Sequence, residues 1–343
     1  MTDVLNPRET RVLEAIVRNY ILNASPTGSR FISRHTDIEL SPATIRNVMG
    51  DLEDRGFIAQ PHTSAGRIPT DRGYRYYVDQ LMQSNQLSPE VREQIRTSLL
   101  QANPSDLHTV MQATSRALSK TTHQLGIILA PAFRRACFRH IHIYELAPHR
   151  FLMNLTIDSG IVRTLAIEIR SEIPVEQIES ISRIINERFA GKTLDQMSDL
   201  GDEIFQDVTP YDIGIIRLFI PSIKKMIAET EEQEIYAEGT TNILLQPEFF
   251  DKDRISAIVE FLEEKQLLMH MIDVAETGGD GVLVSIGGEI ESGQFSSFSV
   301  VKTKYRLGNL EGSLGVIGPK RMPYPFLISA VEYTAGLLKE MYE

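Results

Sequence analysis

At Leu125 the hydrophobic period of this chain changes from that of a helix to that of a strand, and no single uniform fold accommodates both parts. Up to residue 123, apolar residues recur three and four positions apart. From Leu125 the runs LGIILAP, RHIHIYEL and FLMNLTIDSGIVRTLAIEI alternate or are apolar throughout. Residues 174–235 return to helical spacing. Strands resume in GVLVSIGGEI, FSSFSVVKTKYRL and GSLGVIGP before a last amphipathic helix over Pro325–Glu343. Strands, then helices, then strands predict one α+β domain interrupted by a mainly helical insertion, behind a mostly helical leading part. A length of 343 residues agrees with more than one domain.

Proline marks helix starts. Asn6-Pro7, Ser41-Pro42, Ser88-Pro89 and Asn103-Pro104 each read as an N-cap followed by Pro at the first helical position, where its missing N–H costs nothing. Glu9, three residues after Asn6, completes a capping-box pattern. Helices are predicted over Pro7–Leu22, Ser29–His35 and Pro42–Asp54. The third carries an apolar stripe of Ile45, Val48, Met49 and Leu52. A short strand at Phe57–Gln60, the loop PHTSAGRIPT and a helix opening at Thr70-Asp71 follow, and two connector helices fill 88–123.

Helix, turn (Thr36–Leu40), helix, strand and glycine-containing loop is the order of a winged helix-turn-helix. The face of the third helix opposite its stripe offers Ala43, Thr44, Arg46 and Asn47 near the N-terminal end. Arg matches guanine, Asn matches adenine, and Thr or Ala touches the thymine methyl. Ser41 and the helix N-terminus suit a phosphate. In the wing, Ser64, Ala65 and Gly66 supply a turn and Arg67 a cation at the tip. His62, Thr63 and Ser64 supply phosphate donors, with Arg72 and Arg75 just beyond. Three short helices with a solvated polar face would show the same period, so the wing is what favours double-stranded DNA as the partner.

Charge distribution supports this reading although the net charge of −11 does not. Residues 1–78 hold ten Arg, no Lys and nine acidic residues, a balance of +1, and the remainder carries −12. Such a head depends on where each arginine sits rather than on bulk attraction, and arginine suits forked contacts to phosphate or guanine. The single cysteine, Cys137, excludes an internal disulfide. Without a leader pattern at MTDVLNPRET or an apolar run of about 20 residues, the expectation is a cytoplasmic protein with no membrane contact.

The run SPATIRNVMGDLEDRGFIAQPHTSAGRIPTDRGYRYYVDQL resembles the signature of the heat-inducible transcription repressor HrcA family, as do EGTTNILLQPEF, VSIGGEI and GVIGPKRMPY. One departure is Gly288-Glu289-Ile290, where family members often carry Gly-Glu-Asn. The resemblance implies a repressor of groE- and dnaK-type chaperone operons. Such a repressor binds an inverted-repeat (CIRCE) operator as a homodimer, its activity sustained by a GroEL-type chaperonin. It also implies a winged helix over 1–80, a helical connector over 81–123, a GAF-like α+β domain over 124–170 and 237–343, and an inserted dimerising domain over 171–236, with edges set to within about twenty residues because the hairpin at 151–170 fits either part. The alternative is a metabolite-responsive repressor with a small-molecule ligand in the GAF-like domain.

Other motifs carry less. His140 and His142 share one face of a strand but lack a third metal ligand at useful spacing, and Cys137 faces elsewhere. The glycines of GGDG (278–281) and IGGEI match no phosphate-binding loop and read as turns. Glu229–Glu238 reads as a solvated helix face. Lys320 and Arg321, beside a turn, fit a ligand-cavity border, an interface with the DNA-binding head or, equally, a solvated loop. No hydrolase or metalloenzyme motif appears, so no catalytic residue, metal or cofactor is expected.

Overall fold

The computed structural model describes residues 4–62, 65–83, 85–104, 106–131, 136–158, 160–171, 173–199, 202–205, 207–228, 234–249, 252–274, 281–290 and 295–342. Thr63, Ser64, Glu229–Gln233 and 278–280 lie outside the described residues. The Asn6 side chain accepts the N–H groups of Arg8 and Glu9, both at 3.0 Å, and the Glu9 carboxylate accepts the Asn6 N–H at 2.9 Å. This capping box opens α1 (Pro7–Asn23). Helices α2 (Ser29–His35) and α3 (Pro42–Asp54) follow, and Val12, Leu13, Ile16 and Val17 close on Ile32, Ile45, Met49 and Leu52 as one core. Strand β1 (Ile58–Ala59) pairs antiparallel with β2 (Ile68–Pro69). Helix α4 (Asp71–Tyr76) then runs into a π-helical turn at Tyr77–Leu81.

Two helices, α5 (Pro89–Leu100) and α6 (Leu107–Thr122), connect this head to the body. The cap of α6 is not Asn103, as the Asn-Pro pattern suggested, but Asp106. Its carboxylate accepts the N–H groups of His108 at 3.1 Å and Thr109 at 3.4 Å. A full negative charge at the positive end of a helix is the stronger cap.

The body adds β3 (Leu125–Leu129), β4 (Phe138–Ala147), β5 (Arg150–Ile157), β6 (Val162–Glu168), α7 (Val175–Phe189), α8 (Leu194–Asp199) and α9 (Pro210–Ala228). It continues with β7 (Ile235–Glu238), α10 (Thr240–Leu244), α11 (Lys252–Glu263), α12 (Lys265–Ile272), β8 (Leu283–Ile286), β9 (Phe298–Leu307), β10 (Leu310–Pro319) and α13 (Tyr324–Tyr342). The architecture is multidomain α+β. Five strands form one antiparallel sheet in the order β7-β3-β10-β9-β8. Leu125, Ile127 and Leu129 face a cluster with Ile243, Phe249, Phe261 and Ile272, whereas Ile128 faces the opposite core with Val110 and Leu118 of α6. Helices cover both faces, which is why LGIIL is apolar throughout instead of alternating.

Two sequence readings need correction. The sequence leaves the hairpin at 151–170 open to either part of the body, and the structure puts it with β4 in a separate three-stranded sheet of order β4-β5-β6. These strands pack on α7 and α9, with Phe151 edge-on to Phe219 at 5.7 Å and Phe138 to Phe189 at 6.1 Å. The base of this unit closes where the Phe138 N–H donates to Lys192 O at 2.8 Å and the Leu194 N–H to Ala136 O at 3.0 Å. The insertion thus begins near Ala136 rather than at 171. Strand periodicity reveals an element but not its pairing partner. The second correction is Ile235–Glu238, the tail of the acidic stretch. It is an edge strand paired with β3 and not a helix face.

Phe219 is fully buried, and Phe219→Ala is expected to cost about 3–5 kcal/mol. Hydrogen exchange should show protection lost across β4–β6 and α7 and retained in β3 and β10, because the two sheets share no strand.

Candidate nucleic-acid interface

Four apolar side chains anchor α3 from below, and this turns the remaining face outward. Ser41 caps the helix: its Oγ accepts the Thr44 N–H at 3.1 Å and lies 2.9 Å from the Thr44 hydroxyl. Ala43, Arg46 and Asn47 are exposed and Thr44 is half-buried. Among the described residues, neither Arg46 nor Asn47 has a side-chain hydrogen bond or ion pair. The turn before α3 is held by α1, because the Arg11 guanidinium donates to Asp37 O at 2.5 Å. The outcome is a capped helix N-terminus with an unengaged guanidinium and carboxamide one turn in, the donor set that reads base edges.

The wing is built differently from its sequence reading. Arg67 stands at the root of the loop, not at its tip. Its N–H donates to Thr27 O at 2.8 Å and its carbonyl accepts the Thr27 N–H at 2.9 Å, which adds a third short strand segment beside β2. The Arg67 guanidinium grips Glu53 of α3 at 2.7 and 2.9 Å. Gly66 makes this approach possible, because a Cβ there would lie 2.5 Å from the Thr27 carbonyl. His62 is exposed on the loop.

Arg72 is also engaged within the head. Its guanidinium lies over the Phe57 ring at 4.6 Å and donates to Arg55 O at 2.7 Å, and Arg55 in turn pairs with Glu9 at 2.8 Å. Arg72 thus braces the C-terminal end of α3, at the opposite end of that helix from Ser41 and Ala43. Arg75 turns to the body, where Glu289 raises its pKa by hydrogen bonding and keeps it charged.

Two residues that sequence reasoning passed over join the exposed set. Arg30 and Arg34 lie on the outer side of α2, opposite buried Ile32, and neither forms an ion pair among the described residues. Their spacing of four in a helix that enters the turn was the available signal.

Elsewhere, the rings of His140 and His142 lie 4.0 Å apart, and His140 Nε2 is 3.2 Å from the Asn186 carboxamide nitrogen. Burial, then the neighbouring His142, lowers the His140 pKa. Among the described residues no three His, Cys, Asp or Glu side chains gather as metal ligands. Beside the five-stranded sheet, a hollow of about 360 Å³ is lined by His270, Asp273, Ser285, Glu289 and Lys302. The Lys302 ammonium already donates to the carbonyls of Met271 and Asp273 at 2.9 and 2.7 Å. Among the described residues no helix is long and apolar enough to cross a membrane.

Residues 108–328 match the family profile described as the HrcA protein C terminal domain. The chain is 38% identical to the heat-inducible transcription repressor HrcA of Geobacter sulfurreducens, covering 100% of this chain and 99% of that relative. It is also 38% identical to the protein of that name from Pelotomaculum thermopropionicum, covering 99% and 97%. A crystal structure described as that of a hypothetical protein superposes with a TM-score of 0.67 at 26% identity, covering 99% of both chains.

Two outcomes follow from the wing's construction. Gly66→Ala should destabilise the head by about 1–3 kcal/mol, because backbone and not a flexible side chain fills the space. A double-mutant cycle on Arg67 and Glu53, read by denaturation, should give a coupling of up to about 1 kcal/mol, less at high salt.

Proposed function

The chain belongs to the HrcA family, whose members are transcription regulators and not enzymes, and on that premise we propose that it represses heat-shock chaperone operons by binding an inverted-repeat operator as a homodimer. The observation that carries the reading is the exposed, unengaged pair Arg46 and Asn47 behind the Ser41 cap. Arg46 reads guanine and Asn47 adenine, while Ala43 and Thr44 lie against thymine methyl groups. The Ser41 hydroxyl and the Ala43 N–H in the first turn of α3 receive a phosphate. Arg30 and Arg34 of α2, with His62, Thr63 and Ser64 of the wing, serve the phosphate backbone. Arg67 and Arg72 act from within, by holding the wing and α3 in register.

One head reads too few base pairs to find an operator among many competing sites, and two related by a two-fold axis read a palindrome. The operator is of the CIRCE type, and a GroEL-type chaperonin sets the active fraction of the repressor. Support for that last element is physical. A multidomain chain with an insertion folds slowly, and a loss of 1–2 kcal/mol changes the folded fraction several-fold.

Fluorescence anisotropy with an inverted-repeat duplex and a scrambled control, at two salt concentrations and with and without chaperonin, tests the proposal. A preference of about 10³-fold or more for the repeat is expected. Equal, salt-sensitive binding to both duplexes would overturn it. Arg46→Ala should weaken repeat binding by about 1–3 kcal/mol and relax base preference at one position. Arg30→Ala and Arg34→Ala should each weaken all duplexes alike and lower the salt slope by about one.

A further inference from the structure

The DNA-binding head is not merely tethered to the body: one cluster of contacts clamps it there. Asp71, the first residue of α4, receives the Gly288 N–H at 2.9 Å and the Lys320 ammonium at 2.5 Å. Four residues along the same helix, the Arg75 guanidinium donates to both oxygens of Glu289 and to Val284 O, the last at 2.5 Å. Glu289 is fixed in turn by accepting the Ile286 N–H at 2.9 Å. Gly287 has φ +55°, and any Cβ there would fall 2.2 Å from an Asp71 oxygen, so the turn is shaped around a side chain from the other domain. Next to Lys320, Arg321 donates to Ile21 O at the end of α1 at 3.5 Å and pairs with Glu248. Helices α1 and α4 are thus both held by the loop that follows β10, and attachment at two helices fixes rotation as well as position.

The clamp is strong in number and weak in kind. Its ion pairs are about one-third exposed, with side-chain exposures of 34% and 33% for Asp71 and Lys320 and 30% and 38% for Arg75 and Glu289. Pairs of that exposure are individually weak and screened by salt. Between them Tyr74 is 1% exposed, its ring 6.2 Å from that of Tyr324, and its buried hydroxyl has no hydrogen-bond partner. An unsatisfied buried hydroxyl opposes docking. The reader face stays clear, because Arg46 and Asn47 are exposed and, among the described residues, neither has a side-chain hydrogen bond or ion pair.

We infer that Asp71, Arg75, Glu289 and Lys320 are positioning residues for DNA recognition: by fixing each head on its body they set the spacing between half-sites that the paired heads accept. The inference rests on the paired-site reading above and extends it. A rigidly placed second head binds at high effective concentration only when the second half-site lies where that head points, and a loosened head loses that advantage without losing its own contacts.

The test uses the full chain carrying Glu289→Gln and Lys320→Met together, with Lys320→Arg as the conservative control and Tyr74→Phe as a variant of opposite sign. Amide exchange is followed in 71–77 and 286–290. Binding is measured to a single half-site, to the natural repeat, and to repeats with lengthened or shortened spacers. The double variant should raise exchange in both segments, weaken the natural repeat on the order of ten- to a hundred-fold, leave the half-site within about two-fold, and flatten the dependence on spacer length. Lys320→Arg should behave as wild type, and Tyr74→Phe should slow exchange. Equal loss on half-site and repeat would overturn the inference, showing a contribution to head folding alone. Unchanged exchange or an unchanged spacer profile would overturn it as well. A wild-type chain that ignores every duplex would instead sink the repressor reading, and exchange would still decide whether these residues hold the head.

Discussion

The pairing of β3 with β10 is the constraint on which the rest depends. Leu125–Leu129 lies antiparallel to Ser313–Ile317, a contact across roughly 190 residues of chain. β3 is at most 1% exposed at Leu125, Ile127, Ile128 and Leu129, because helices cover it on both sides. Its other edge takes β7, and the Ala130 N–H donates to Glu234 O at 2.8 Å. The chain therefore leaves the sheet and re-enters it at adjacent points. That geometry lets a whole second sheet with its own helices be inserted at little cost to the first.

The same strand reaches the DNA-binding head. β10 runs directly into Lys320 and Arg321, which meet Asp71 of α4 and the end of α1. The sheet-closing strand and the contacts that hold the head thus lie on one stretch of backbone. Pairing of strands this far apart in sequence has high contact order, which is the kind that forms slowly. This long-range closure is the physical ground for the proposal that the active fraction of the repressor follows the folding capacity around it.

How much was legible depended on how local each cause was. The three head helices could be read within a residue or two, because Asn6, Ser41 and the apolar stripe act over one or two turns. Arg46 and Asn47 could be placed on the outer face for the same reason: helix period alone decides it. Arg67 and Arg72 could not. Each has a partner remote in sequence, Glu53 for one and the Phe57 ring for the other, and no spacing rule connects them. The strands β4–β6 were visible as strands, yet their separation from β3 was not, because alternation says which face is buried but not against what.

Sequence by itself determined the helix boundaries of the head, the exposed face of α3, the arginine-only charge of the head and the alternation of strand and helix along the body. All of these follow from interactions within a few residues. Only the tertiary structure decided which strands share a sheet, which arginines are engaged within the head, and that Gly287, Gly288 and Glu289 form the seat for Asp71 and Arg75. Those depend on groups too far apart for a local spacing rule, and in the seat of Asp71 and Arg75 on groups from the two halves of the chain, where burial and charge pairing, not local propensity, select the partner.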